Sequence, residues 1–214
     1  MTEAQASLAA LVSEIRACRI CIDHPRGRPL PHEPRPVIRV SSTARIAVCG
    51  QAPGTRVHAS GLPFTDPSGD RLRGWMGVTE AEFYDQRQIA IIPMGFCFPG
   101  LDAKGGDRPP RSECAGAWHA RLFEHLPRLE LLLLVGAYAQ RWHLPQHASR
   151  PLSEVVADWR SIAVSGHSRT HARITALPLP HPSWRNTGWL KARPWFELEL
   201  LPQLRIAVRT RLVD

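Results

Sequence analysis

The sequence predicts an α/β fold built on a parallel sheet, and three observations carry that prediction. Apolar segments of strand length alternate with segments of helical period about four times along the chain. The segment from Leu129 to Val135 is almost wholly aliphatic, as expected of a strand buried on both faces. With 214 residues the chain can bury one substantial core and is too short for two independent enzymatic domains, so residues 1–214 are read as a single domain.

The elements follow in order. Leu8, Leu11, Val12 and Ile15 recur at helical spacing and predict an amphipathic helix from about Glu3 to Ala17. Pro25, Pro29, Pro31, Pro34 and Pro36, interleaved with Arg26, Arg28, Arg35 and Arg39, then impose an extended basic path, because proline fixes φ and removes a donor. Arg45 to Cys49 reads as a short strand running into the turn Gly50-Gln51-Ala52-Pro53-Gly54, whose glycines let backbone approach a ligand. Helices are expected over Ser68 to Val78 and Thr79 to Gln86, the second opened by a Thr79-x-x-Glu82 capping box. A strand from Ile89 to Met94 leads through a Gly/Pro-rich loop, Gly95 to Pro110, into a helix from Ser112 to Leu126. The aliphatic strand comes next, followed by a helical stretch around Pro151 to Ser161, a strand from Arg173 to Leu179 and a closing helix from Pro194 to Leu212.

Composition excludes several classes. Hydrophobic residues make up 43% and charged residues 21%, which rules out disorder, and the longest apolar run, Leu131 to Ala139, is far short of the roughly 20 residues that span a bilayer. Glu3, Glu14 and Arg16 interrupt the first twenty residues, so the N-terminus does not read as a secretory signal and a cytoplasmic location is expected. The formal charge of +8 points toward a polyanion such as nucleic acid; only two of the 27 cations, Lys104 and Lys191, are lysines, which equally fits an arginine-biased genome. Five cysteines without an export signal speak for metal or redox chemistry rather than disulfides.

The turn Gly50-Gln51-Ala52-Pro53-Gly54, the segment Gly61-Leu62-Pro63-Phe64 and the late His181-Pro182-Ser183 together resemble the paired motifs of the uracil-DNA glycosylase superfamily. Cys18-x-x-Cys21, Cys97 and Cys114 are placed like the cluster ligands of its iron-sulfur family four, while Phe64-Thr65, Ser68-Gly69-Asp70 and the run from His181 to Gly188 look closer to family five. The resemblance extends from Cys18 to Arg205 and implies a three-layer α/β/α sandwich around a central, mostly parallel four-stranded sheet. It has departures. Ala52 stands where the best-known members carry a water-activating aspartate, Pro93 lies near the position of a uracil-reading asparagine, and Gln51 replaces the glutamate usual in family four. The chain therefore reads as a divergent branch.

The resemblance also implies roles. Gly50, Ala52, Pro53 and Gly54 would form the turn beneath an extruded base, and Phe64 would stack on it; the alternative is a core aromatic. His181 would donate to the departing base, since imidazole titrates near neutrality. Ser183 would hold a phosphate or the histidine loop, and Trp184 or Arg185 would fill the gap in the stack. For the attacking water the candidates are Asp66 and, less favoured because it suits a first helical turn, Asp70; Gln51 and His58 are further polar candidates on the same loop. Neither lysine falls in a motif, which argues against a Schiff-base lyase.

The four aligned cysteines, Cys18, Cys21, Cys97 and Cys114, could bind a [4Fe-4S] cluster or a tetrahedral zinc ion, and the resemblance favours the cluster as a structural clasp. Cys49 is left as a small core residue. The function expected is monofunctional excision of uracil from DNA by a monomer, leaving an abasic site. The alternatives are a non-catalytic or covalently trapping DNA binder and a glycosylase for another deaminated base.

Overall fold

The computed structural model describes residues 3–165, 168–169 and 174–212. Four strands, β1 (Ile46–Cys49), β2 (Ile89–Ile91), β3 (Leu131–Val135) and β4 (Thr175–Leu179), form one wholly parallel sheet in the order β2-β1-β3-β4. Ala47 lies opposite Ala90 on one side and Leu132 on the other, and Leu132 opposite Ala176. Strand alternation then divides the core into two. Ala47, Cys49, Ala90, Leu132 and Leu134 face one cluster, while Ile46, Val48, Ile91, Leu131 and Leu133 face the other. Helices Glu3–Arg16 and Ser112–Glu124 cover the first through Leu11, Ile15, Leu122 and Phe123. Helices Pro67–Met76, Glu80–Tyr84 and Leu201–Arg209 cover the second through Leu72, Met76, Phe83 and Leu204. This is the expected three-layer α/β/α sandwich, and Cys49 is fully buried in it.

Several boundaries move for identifiable reasons. The helix expected from Ser68 starts at Pro67, because the Asp66 carboxylate accepts the Gly69 N–H at 3.2 Å and Pro67, lacking an N–H, fits the first turn. The Thr79 capping box is present in both directions: Glu82 N–H donates to Thr79 Oγ1 at 3.2 Å and Thr79 N–H to Glu82 Oε2 at 2.6 Å. Strand β2 ends at Ile91 rather than Met94, since Pro93 brings no donor to the ladder. The stretch read as one helix from Pro151 is two, Leu152–Ala157 and Trp159–Ser165. The closing helix from Pro194 is also divided: Phe196–Leu200 is π-helical and Leu201–Arg209 α-helical, with Pro202 at the junction removing a regular helical hydrogen bond. Short helices at Thr55–Ser60, Ala137–His143 and Thr187–Lys191 have no periodic signal in the sequence. Arg173, the expected start of the last strand, lies outside the described residues. Among those described, no helix is long and apolar enough to cross a membrane.

Candidate active site

Every strand of a parallel sheet points its C-terminal end the same way, and the connections leaving that edge build the site. The turn after β1, Pro93 after β2 and His181 after β4 line one cavity of about 90 Å³. Gly50, Gln51, Ala52, Pro53, Gly54, Phe64, Asp66, Asp107 and His181 all border it, so the two motifs that lie some 130 residues apart meet at one cavity. The cavity adjoins an open groove of about 670 Å³ that shares Gln51, Asp66, Asp107 and His181 and extends to Ser183, Trp184 and Arg185.

Phe64 occupies the left-handed region with φ 57°, a strained conformation for a bulky residue. The strain is held from three sides. Tyr84 Oη donates to Pro63 O at 2.7 Å and to Phe64 O at 3.2 Å, and the Arg73 guanidinium donates to Phe64 O at 3.2 Å. The helix turn at Gly69 comes so close that a Cβ there would stand 1.8 Å from Phe64 O. The ring sits edge-on to Phe83 at 5.8 Å and 3.4 Å from where a Gly50 Cβ would be. Phe64 thus packs against the core and also borders the cavity.

His181 follows β4 directly, and its Nδ1 accepts the Ser183 N–H at 3.2 Å. An acceptor at Nδ1 leaves the ring proton of the neutral imidazole on Nε2, so the ring presents a donor. Burial pushes the His181 pKa below its ordinary value, opposed by Asp66 and Asp107, and therefore favours that neutral form near pH 7. Ser183 holds the histidine loop: its hydroxyl accepts Arg185 N–H at 3.2 Å and its carbonyl accepts from Arg71 at 3.0 Å. Asn186 donates to His181 O at 2.7 Å. Trp184 is 74% exposed on the groove with the Arg185 guanidinium 5.8 Å from its ring centre.

The polar candidates separate. Asp66 borders the cavity but spends one oxygen on the helix cap. Asp70 points away and pairs with Arg73 at 2.5 Å, the first-turn role. Gln51 Nε2 donates to Arg108 O at 3.1 Å, which fastens the loop beyond β2 to the turn beyond β1. His58 packs its ring 4.3 Å from His32 and 5.7 Å from Phe98, outside the cavity. The residue that sequence reasoning missed is Asp107. It lies in a Gly/Pro-rich connector with no periodicity, and the available signal was its being an acidic residue in the run Gly105-Gly106-Asp107-Arg108-Pro109 that turns back toward the sheet.

Cys18, Cys21, Cys97 and Cys114 surround a second, apolar cavity of about 20 Å³ together with Ile15, Leu30, Phe96 and Trp118. The Phe96 N–H donates to Cys114 Sγ at 3.3 Å. Burial pushes the Cys97 thiol up to about 12 and raises Cys21 and Cys114 as well, so these sulfurs stay protonated unless a metal takes the proton's place. Among the described residues no three His, Cys, Asp or Glu side chains are drawn together as ligands of a single ion.

A solution NMR structure of a candidate uracil DNA glycosylase from Methanosarcina acetivorans is similar at 15% identity and a TM-score of 0.44, covering 78% of this chain and 93% of that one. The family profile of the uracil DNA glycosylase superfamily matches residues 38–205, which include both motifs, Phe64, Asp107 and all of the sheet. The chain belongs to the uracil DNA glycosylase superfamily.

Proposed function

We propose that the protein is a monofunctional DNA repair glycosylase that hydrolyses the N-glycosidic bond of uracil in DNA and leaves an abasic site. The observation that carries this reading is the convergence of the glycine turn, Phe64 and His181 on one cavity that adjoins an open groove of about 670 Å³. The target nucleotide must leave the stack to reach such a cavity, at a cost of a few kcal/mol. Phe64 offers a face for the pyrimidine, and Trp184, exposed at the groove, fills the vacated stack. Negative charge that develops on the departing base meets the His181 Nε2–H, a donor held in place before the reaction. Among the described residues no lysine borders either space, which supports hydrolysis without strand cleavage.

Cys18, Cys21, Cys97 and Cys114 line one apolar cavity and as thiolates would suit either a [4Fe-4S] cluster or a tetrahedral zinc ion; the resemblance to the iron-sulfur families favours the cluster. Bound there, the cluster would tie the N-terminal helix and the proline-rich strap to the loop after β2. The protein would act as a cytoplasmic monomer on uracil-containing DNA.

The test is an oligonucleotide with one uracil, incubated with protein and then treated with alkali. Cleavage only after alkali supports the reading; a complex without cleavage would make the protein a binder, and a complex that survives denaturant would indicate covalent trapping. Release of another deaminated base in preference to uracil would change the substrate and leave the chemistry.

A further inference from the structure

We propose that Asp107 is the residue that activates the attacking water, a role for which the position of Ala52, in the turn after β1, offers no carboxylate. The assignment rests on the glycosylase reading above. Its support is positional. Asp107 borders both the inner cavity and the outer groove, so its carboxylate stands at the passage between bulk water and the buried end of the site. Its Oδ2 lies 3.2 Å from where a Gly54 Cβ would be, directly over the turn after β1, and any larger residue at 54 would meet it. Asp66, the other carboxylate on the cavity, is engaged with the Gly69 N–H, while among the described residues no hydrogen bond reaches the Asp107 carboxylate.

The loop is built to hold that position. Leu101 and Asp107 form an antiparallel bridge, and Arg108 N–H donates to Gly100 O at 3.0 Å. Asp102 Oδ1 accepts from Lys104 N–H and Gly106 N–H at 2.8 and 2.9 Å, closing the turn between them. Gln51 fastens Arg108 O to the turn after β1, and this makes Gln51 a positioning residue for Asp107.

A water proton passes to the Asp107 carboxylate as the water oxygen bonds to C1′; the C1′–N1 bond breaks and its electron pair leaves on uracil, stabilised by the His181 Nε2–H. The same carboxylate offsets positive charge on the sugar before attack. Asp107 is exposed toward the groove, and the desolvation of its cavity side raises its pKa, which favours proton uptake; Asp66 and Asp102 act in the same direction, while Arg185 and His181 oppose them.

The test compares wild type, Asp107→Asn and His181→Ala in single-turnover excision across pH, with binding to abasic-site DNA and thermal melting measured alongside. The Asn variant is expected to lose about 100-fold or more in rate while binding within threefold of wild type and melting normally. Wild type and His181→Ala should share an acid limb, the rate falling as a carboxyl protonates, and Asp107→Asn should lack it. An Asn variant with near wild-type rate, with the acid limb retained, or with equal losses in rate and binding would overturn the assignment while the glycosylase reading stands. A wild-type chain that releases no base would overturn both.

Discussion

Replacing Gly69 by alanine tests the link between backbone packing and the stacking ring. The new Cβ would lie 1.8 Å from Phe64 O, 2.7 Å from its carbonyl carbon and 2.9 Å from its Cβ. A close carbon–oxygen contact needs about 3.3 Å, so the helix Pro67–Met76 and the Phe64 loop must part by roughly 1.5 Å. The loop resists, because Tyr84 and Arg73 pin the carbonyls of Pro63 and Phe64. Overpacking of this kind costs about 1–3 kcal/mol, or roughly 2–12 °C in Tm for a chain of this size. A misplacement near 1 Å in a site costs about 100-fold in rate. Single-turnover excision of uracil and a thermal melt read both quantities, and Gly74→Ala is the control: it lies in the same helix with nothing within 4 Å of its would-be Cβ, so it should be neutral or slightly stabilising. Wild-type rate and Tm in Gly69→Ala would refute the argument that this contact holds the ring.

His181→Ala should slow excision about 100-fold or more and leave abasic-site DNA binding largely intact; equal losses in both would make His181 a positioning residue. His119, fully buried between the sheet and Phe96, has its pKa pushed down to about 4 by desolvation. Its unfolded value is near 6.5, so the stability it confers is complete above that pH and declines as pH falls toward 4, by on the order of 3 kcal/mol. Denaturant melts from pH 7 to 4 should show that decline, and His119→Phe should flatten it; an unchanged slope would place the acid sensitivity elsewhere. Protein purified without oxygen should be brown and carry four irons, and Cys114→Ser should lose the colour and lower Tm. Colourless wild-type protein with zinc would refute the cluster.

The sheet was legible in sequence because its strands are so strongly apolar: Ile46–Cys49 and Leu131–Val135 are buried at every position. The site's two motifs were legible because turn glycines and a His-Pro-Ser run leave local marks. The rest depends on tertiary contact. Nothing local to Asp107 announces that Gln51 reaches across to Arg108 O, and nothing near Phe64 tells of Gly69 pressing on its carbonyl. Helix ends shifted where one atom decides them, as with the Asp66 cap, the missing N–H of Pro93 and that of Pro202.

The bond from Ser183 to the imidazole comes from the main chain, and this bears on how the motif can vary. The ring's tautomer is indifferent to which side chain occupies position 183, whereas the Ser183 hydroxyl serves the loop by accepting Arg185 N–H, so threonine can replace it with both contacts kept. Proline is the forbidden neighbour. A proline at 183 would erase the amide hydrogen and free the imidazole to turn the wrong nitrogen toward its substrate.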